Sequence, residues 1–121
     1  MDLSDDEGEE EELNRETVIQ NKIRVALSER GCIVHRCNTG LYYSKDGRPV
    51  VCGEVGHSDL YGHRPDGKAF YLEIKTPVGR ASKEQQAFIK AMQNTGALAG
   101  FARSVADAME VVQLNENNSL P

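Results

Sequence analysis

The chain has 121 residues, 39% of them hydrophobic, with a net charge of −5, three cysteines and no apolar run long enough to cross a membrane. Such a size and apolar fraction support one domain with a modest core, and the sequence holds no membrane-spanning helix. Three cysteines cannot all pair, and no basic stretch followed by an apolar one opens the chain, so the expectation is a soluble protein of the cytoplasm of a cell or an infected host.

The charge is unevenly spread. Eight of the 19 acids fall within residues 2–12, leaving 11 to face 14 lysines and arginines from Leu13 onward, so the body is net positive. The acidic block has almost nothing apolar to bury, and residues 1–12 read as a disordered, solvated tail. It is either a solubilising extension or a competitor with a polyanion for the basic body.

From Glu16 to Arg30, Val18, Ile19, Ile23, Ala26 and Leu27 recur at helical spacing, and Gly31 is placed to stop that helix. Residues 32–36 read as a strand, broken at Asn38, Thr39 and Gly40. Short extended segments at 41–43 and 49–52 flank an Asp46-Gly47 turn and form a hairpin, an irregular flap outside the main sheet. Extended runs at 57–61 and 69–75, joined by a Gly62–Lys68 connection with its own Asp66-Gly67 turn, make an antiparallel pair. Pro77 stops the second run, Ser82 caps a helix from Lys83 to about Thr95, and Phe88, Ile89 and Met92 are its buried stripe. Gly96 ends it, 97–102 is a small-residue strand, and Ser104 caps a last helix to about Leu114, with residues 115–121 a fraying tail. A strand that follows a full helix returns parallel to the strand before it through a right-handed crossover. The expected fold is α/β, a small mixed sheet flanked by helices, with the folded domain at 13–114.

Chemistry concentrates at Asp59, Glu73 and Lys75. Alternation along residues 71–75 puts Glu73 and Lys75 on one side of the strand and Leu72 and Ile74 on the other. A hairpin brings Asp59 and Glu73 onto adjacent strands, where two like charges repel by about 1 kcal/mol or more unless a cation intervenes. Two hard oxygen donors suit Mg²⁺ or Mn²⁺, and an ammonium beside them suits an attacking or developing oxyanion. That apparatus fits phosphodiester cleavage. The bland reading of Glu-x-Lys alone, charges on a solvent face, is answered by the turn-bounded context of both strands.

The segments Gly56-His57-Ser58-Asp59, Glu73-Ile74-Lys75 and Ser82-Lys83-Glu84-Gln85 resemble the glycine-x-x-aspartate, glutamate-x-lysine and serine-x-x-glutamine signatures of VRR-NUC domains, the virus-type replication-repair nucleases of the PD-(D/E)xK superfamily. The resemblance runs from about Glu16 to Val112, and Ser58 stands where many relatives carry proline. It implies a restriction-endonuclease-like fold in which Asp59, Glu73 and the Ile74 carbonyl hold the metal, with Glu16 of the first helix close by. Glutamate near a helix start also complements the dipole with no further role. Lys75 would orient or activate water, or neutralise phosphate charge; a metal and two carboxylates act on its proton in opposite directions. Gln85 would hold Lys75 or a water, against the alternative of an ordinary exposed helix position. Stand-alone relatives imply a homodimer acting on branched or Holliday-junction DNA in replication, repair or recombination, with phage or bacterial origin and no membrane partner.

Other features are weighed against duller readings. Cys32, Cys37, Cys52 and His57 match no common zinc spacing, so no zinc site is expected. His57 more simply covers the sheet than touches phosphate, and Tyr42 and Tyr43 pack on the flap or stack on unpaired bases. Arg36, Lys45, Arg48, Arg64, Lys68, Arg80 and Lys83 lie near strand ends, as ordinary solvation or as phosphate contacts. The rival from another class is a non-catalytic nucleic-acid-binding module that keeps the nuclease fold.

Overall fold

The structure, a computed structural model, describes residues 4–37, 40–52 and 58–114. Chain order is α1 (Ser4–Glu29), β1 (Ile33–Arg36), β2 (Gly40–Tyr43), β3 (Pro49–Cys52), β4 (Leu60–His63), β5 (Ala69–Ile74), α2 (Lys83–Asn94), β6 (Leu98–Ala102) and α3 (Val105–Val112). The four-stranded sheet runs β1-β4-β5-β6, and β2 and β3 pair as a separate two-stranded sheet, the flap that the turn chemistry predicts. β4 is antiparallel to β1 and β5, whereas β6 returns parallel to β5 after α2.

Strand β5 is buried on both faces. Phe70, Leu72 and Ile74 join Ile23 and Leu27 of α1, Leu60, Ala102, and Ala108 and Val112 of α3 in one core. On the opposite pleat, Tyr71 meets Phe88 of α2 edge-on at 5.8 Å between ring centroids. The sheet is thus sandwiched between α1 and α3 on one side and α2 on the other. Among the described residues no helix is long and apolar enough to cross a membrane.

Several boundaries differ from the sequence reading, most of them by one residue, and three of the shifts have a clear physical reason. Helix α1 begins at Ser4, so the described part of the acidic run is helical backbone where a disordered tail is expected. Glutamate is a good helix former, and acids at a helix N-terminus complement its dipole, so a helix nucleated by the packed segment 19–27 extends backward through them. Gly62 and His63 belong to β4 rather than to its connection, paired with Phe70 and Ala69. Gly62 is there because β1 crosses tightly: a Cβ on it would stand 1.8 Å from the Ile33 carbonyl oxygen. Finally, α3 ends at Val112, two residues early, because Gln113 turns left-handed at φ 60° and lets Leu114 fold back into the core.

Candidate active site

Asp59 precedes β4 in a bend held at both sides. The buried Ser58 hydroxyl donates to the Leu60 carbonyl at 3.0 Å, and the Cys37 N–H donates to the Asp59 carbonyl at 2.9 Å. Leu60 opposes Leu72, so one step earlier Asp59 arrives across from Glu73. Its Oδ2 accepts the Ile74 N–H at 2.8 Å, which fixes the carboxylate against β5.

Glu73 is only 2% exposed. Its Oε1 accepts from Gln85 Nε2 at 2.9 Å, while no hydrogen bond reaches Oε2 from the described residues. Burial drives the Glu73 pKa up to about 9, reinforced by the hydrogen bond that its protonated form can donate to the Asp59 carboxylate, by the charge of Asp59 and by that of Glu16; Lys75 opposes them. A buried carboxyl in this condition either keeps its proton or receives a cation. The orphaned Oε2, beside a second carboxyl with hard oxygens, fits a divalent ion of the Mg²⁺ or Mn²⁺ type.

Gln85 is brought here by helix capping. At the N-terminus of α2 the Ser82 hydroxyl accepts from Gln85 N at 3.1 Å and Ser82 N donates to Gln85 Oε1 at 2.9 Å, a complete capping box. The amide oxygen is used by the cap, so the amide nitrogen is turned toward Glu73. Sequence reading expects Gln85 to hold Lys75 or a water; in the structure its partner is the glutamate. Lys75 is half-buried, and its N–H reaches the Ala102 carbonyl at 3.0 Å. Half-buried Glu16, on α1, is near enough for its charge to act on Glu73. Asp59, Glu73, Gln85, Lys75 and Glu16 therefore gather at one end of the sheet, although no three acidic, histidine or cysteine side chains among the described residues form a metal cage.

Two neighbours escaped sequence reading. Cys37 has its thiol pKa raised by burial first and then by the charges of Asp59 and Glu73, which places it beside the pair. Arg103 donates through Nη1 to the carbonyls of Thr76 and of Gly79, the latter at 2.7 Å, in the loop after Lys75. No local pattern announces either contact.

Other candidates stand elsewhere. Arg64 is bonded to Asp66 through Nε at 3.0 Å and through Nη2, and reaches the Val112 carbonyl at 3.2 Å. It and Lys68 flank the β4–β5 turn, about 16 Å of strand from Glu73, at the other end of the hairpin from the acidic pair. Cys32 lies in the core near Arg64, at the opposite end of β1 from Cys37, because β1 spans the distance between them. His57 and the side chains of Tyr42, Tyr43 and Cys52 lie outside the described residues.

No family model and no curated protein matches the chain. In fold it is similar to a solved structure described as a VRR_NUC domain, with a TM-score of 0.59 and 18% identity, covering 83% of this chain and 96% of that one. At that identity the likeness is one of fold, the α/β arrangement of a small mixed sheet flanked by helices that the motif resemblance implies.

Proposed function

We propose that the chain is a Mg²⁺- or Mn²⁺-dependent endonuclease that hydrolyses DNA phosphodiester bonds, acting as a homodimer on branched or junction DNA. The observation that carries this reading is the buried Glu73 carboxyl with one oxygen undonated, set beside Asp59 and within the field of Lys75. A nuclease fold supplies the prior; the site supplies the chemistry.

Asp59 and Glu73 would hold the ion, with the Ile74 carbonyl and Glu16 adding oxygens. The Ile74 N–H keeps Asp59 oriented and Gln85 does the same for Glu73, so neither carboxylate must be ordered at the moment of reaction. A divalent ion bound there offsets negative charge on the attacking and leaving oxygens. Lys75 Nζ orients the attacking water or neutralises the scissile phosphate. As the water oxygen bonds to phosphorus, the P–O ester bond breaks and the departing oxygen takes a proton, leaving a phosphate monoester and an alcohol. Branched substrates and a dimer fit because a domain of this size offers little surface to grip a junction alone, whereas two sites related by a two-fold axis can address two strands.

The test incubates purified protein with labelled four-way, flap, single-stranded and linear DNAs in EDTA, Mg²⁺ or Mn²⁺. Cleavage confined to the metal lanes and strongest on the four-way substrate is the expected result. The rival binding module draws on the lack of a three-ligand cage among the described residues. Asp59→Asn separates the two: an enzyme loses cleavage and keeps DNA binding, while a pure binder has no metal-dependent cleavage to lose.

A further inference from the structure

Arg103 stands one residue beyond β6, where the parallel register that pairs Ile74 with Ala102 brings it alongside Lys75. Its Nη1 is shared between the Thr76 and Gly79 carbonyls, and its backbone N–H is bonded to Asp107 Oδ2 at 2.9 Å. Both ends of the residue are thereby pinned. The loop it grips packs on the lysine: a Cβ built on Gly79 would lie 3.5 Å from Lys75 Cδ. The guanidinium is half-buried, and no carboxylate side chain among the described residues pairs with it, unlike that of Arg64, which Asp66 saturates. Carbonyl dipoles solvate a cation without neutralising it. The Nη2 and Nε hydrogens have no acceptor among the described residues, and a planar guanidinium with one edge fixed offers the other as a ready fork for phosphate oxygens.

We infer that Arg103 is a backbone-binding residue of this site, holding a DNA phosphate next to the one that Lys75 faces. The inference rests on the nuclease reading and adds a contact to it. The clamp makes this arginine an oriented donor, in contrast to Arg80 and Lys83, whose side chains are exposed on the surface. It contributes to the register of the strand in the site and reads no base.

The experiment measures binding of a short fluorescein-labelled DNA duplex in EDTA by anisotropy across a salt series, with Arg103→Gln and Arg103→Lys beside the unaltered protein. Loss of one phosphate contact lowers the slope of log affinity against log salt by about 0.9, so Arg103→Gln should show that drop and bind about tenfold more weakly at low salt. Arg103→Lys keeps the charge and should keep the slope. An unchanged slope in Arg103→Gln, with only a lowered melting temperature, would make the residue a loop staple and overturn the inference while leaving the nuclease reading intact. Should the glutamine variant fail to fold, the Arg103 Nε–Hε resonance of the unaltered protein, assigned with the lysine variant, must shift on adding duplex; a stationary resonance overturns the inference. A protein that binds no duplex at low salt overturns both readings.

Discussion

Replacing Glu73 by glutamine should make the metal-free protein more stable, and the gain should grow with pH. The ordinary pKa of the side chain is 4.5, and burial beside Asp59 raises it to about 9 in the folded chain. Between these values the folded state binds a proton that the unfolded state has released, so the sign of the linkage is that stability falls as pH rises through the window and levels off above it. At pH 7.5, three units above the unfolded value, holding that proton costs about 4 kcal/mol. Glutamine imitates the protonated acid with no such penalty: its carbonyl can accept from Gln85 Nε2 and its amide can donate toward Asp59. Relaxation around the site trims the figure, so a gain of about 2 to 4 kcal/mol, on the order of 10 °C in melting temperature, is expected. The assay is thermal and urea unfolding of both proteins in EDTA at pH 5, 6, 7.5 and 8.5. Parallel pH profiles, or a variant less stable than its parent at pH 7.5, would refute the claim that burial holds a proton on Glu73 far above the usual carboxylate range.

Adding millimolar Mn²⁺ should raise the melting temperature of the unaltered protein and leave Glu73→Gln nearly unmoved, since an ion that binds only the folded state stabilises by mass action; equal shifts would argue for nonspecific binding. Gln85→Ala removes both the capping box and the donor to Glu73, so it should cost about 1 kcal/mol of stability and weaken Mn²⁺ binding about 10- to 100-fold in calorimetry. If only stability falls, Gln85 serves the helix alone. Arg80→Ala with Lys83→Ala should weaken duplex binding without altering Mn²⁺ affinity, and unchanged binding would remove both from the interface. Deleting residues 1–12 should raise DNA affinity at low salt if the acidic segment competes for the basic face; identical affinity ends that idea.

Much of the architecture was legible because it is encoded locally. Ser82 three residues before Gln85, and Ser104 three before Asp107, mark helix starts through hydrogen bonds that close within one turn. Alternation along 71–75 assigns Glu73 and Lys75 to one face, and the two Asp-Gly turns assign both hairpins. The helical backbone from Ser4 has no local signature, because a run of like charges reads equally as a solvated tail, and helix propagation backward from a packed segment needs no burial of its own.

By itself, then, the chain's order of residues determined which side chains could act: two carboxylates and an ammonium on neighbouring strands, with a glutamine in the next helix. Only the tertiary structure decided their state. Glu73 is nearly inaccessible and shifted toward its neutral form because α2 closes over it and Asp59 lies across the register. Arg103 reaches Thr76 and Gly79 from 27 and 24 residues away. Contacts at such separation depend on how the crossover returns β6 beside β5, and burial depends on everything packed around a group at once, so neither has a signature in any short stretch of sequence.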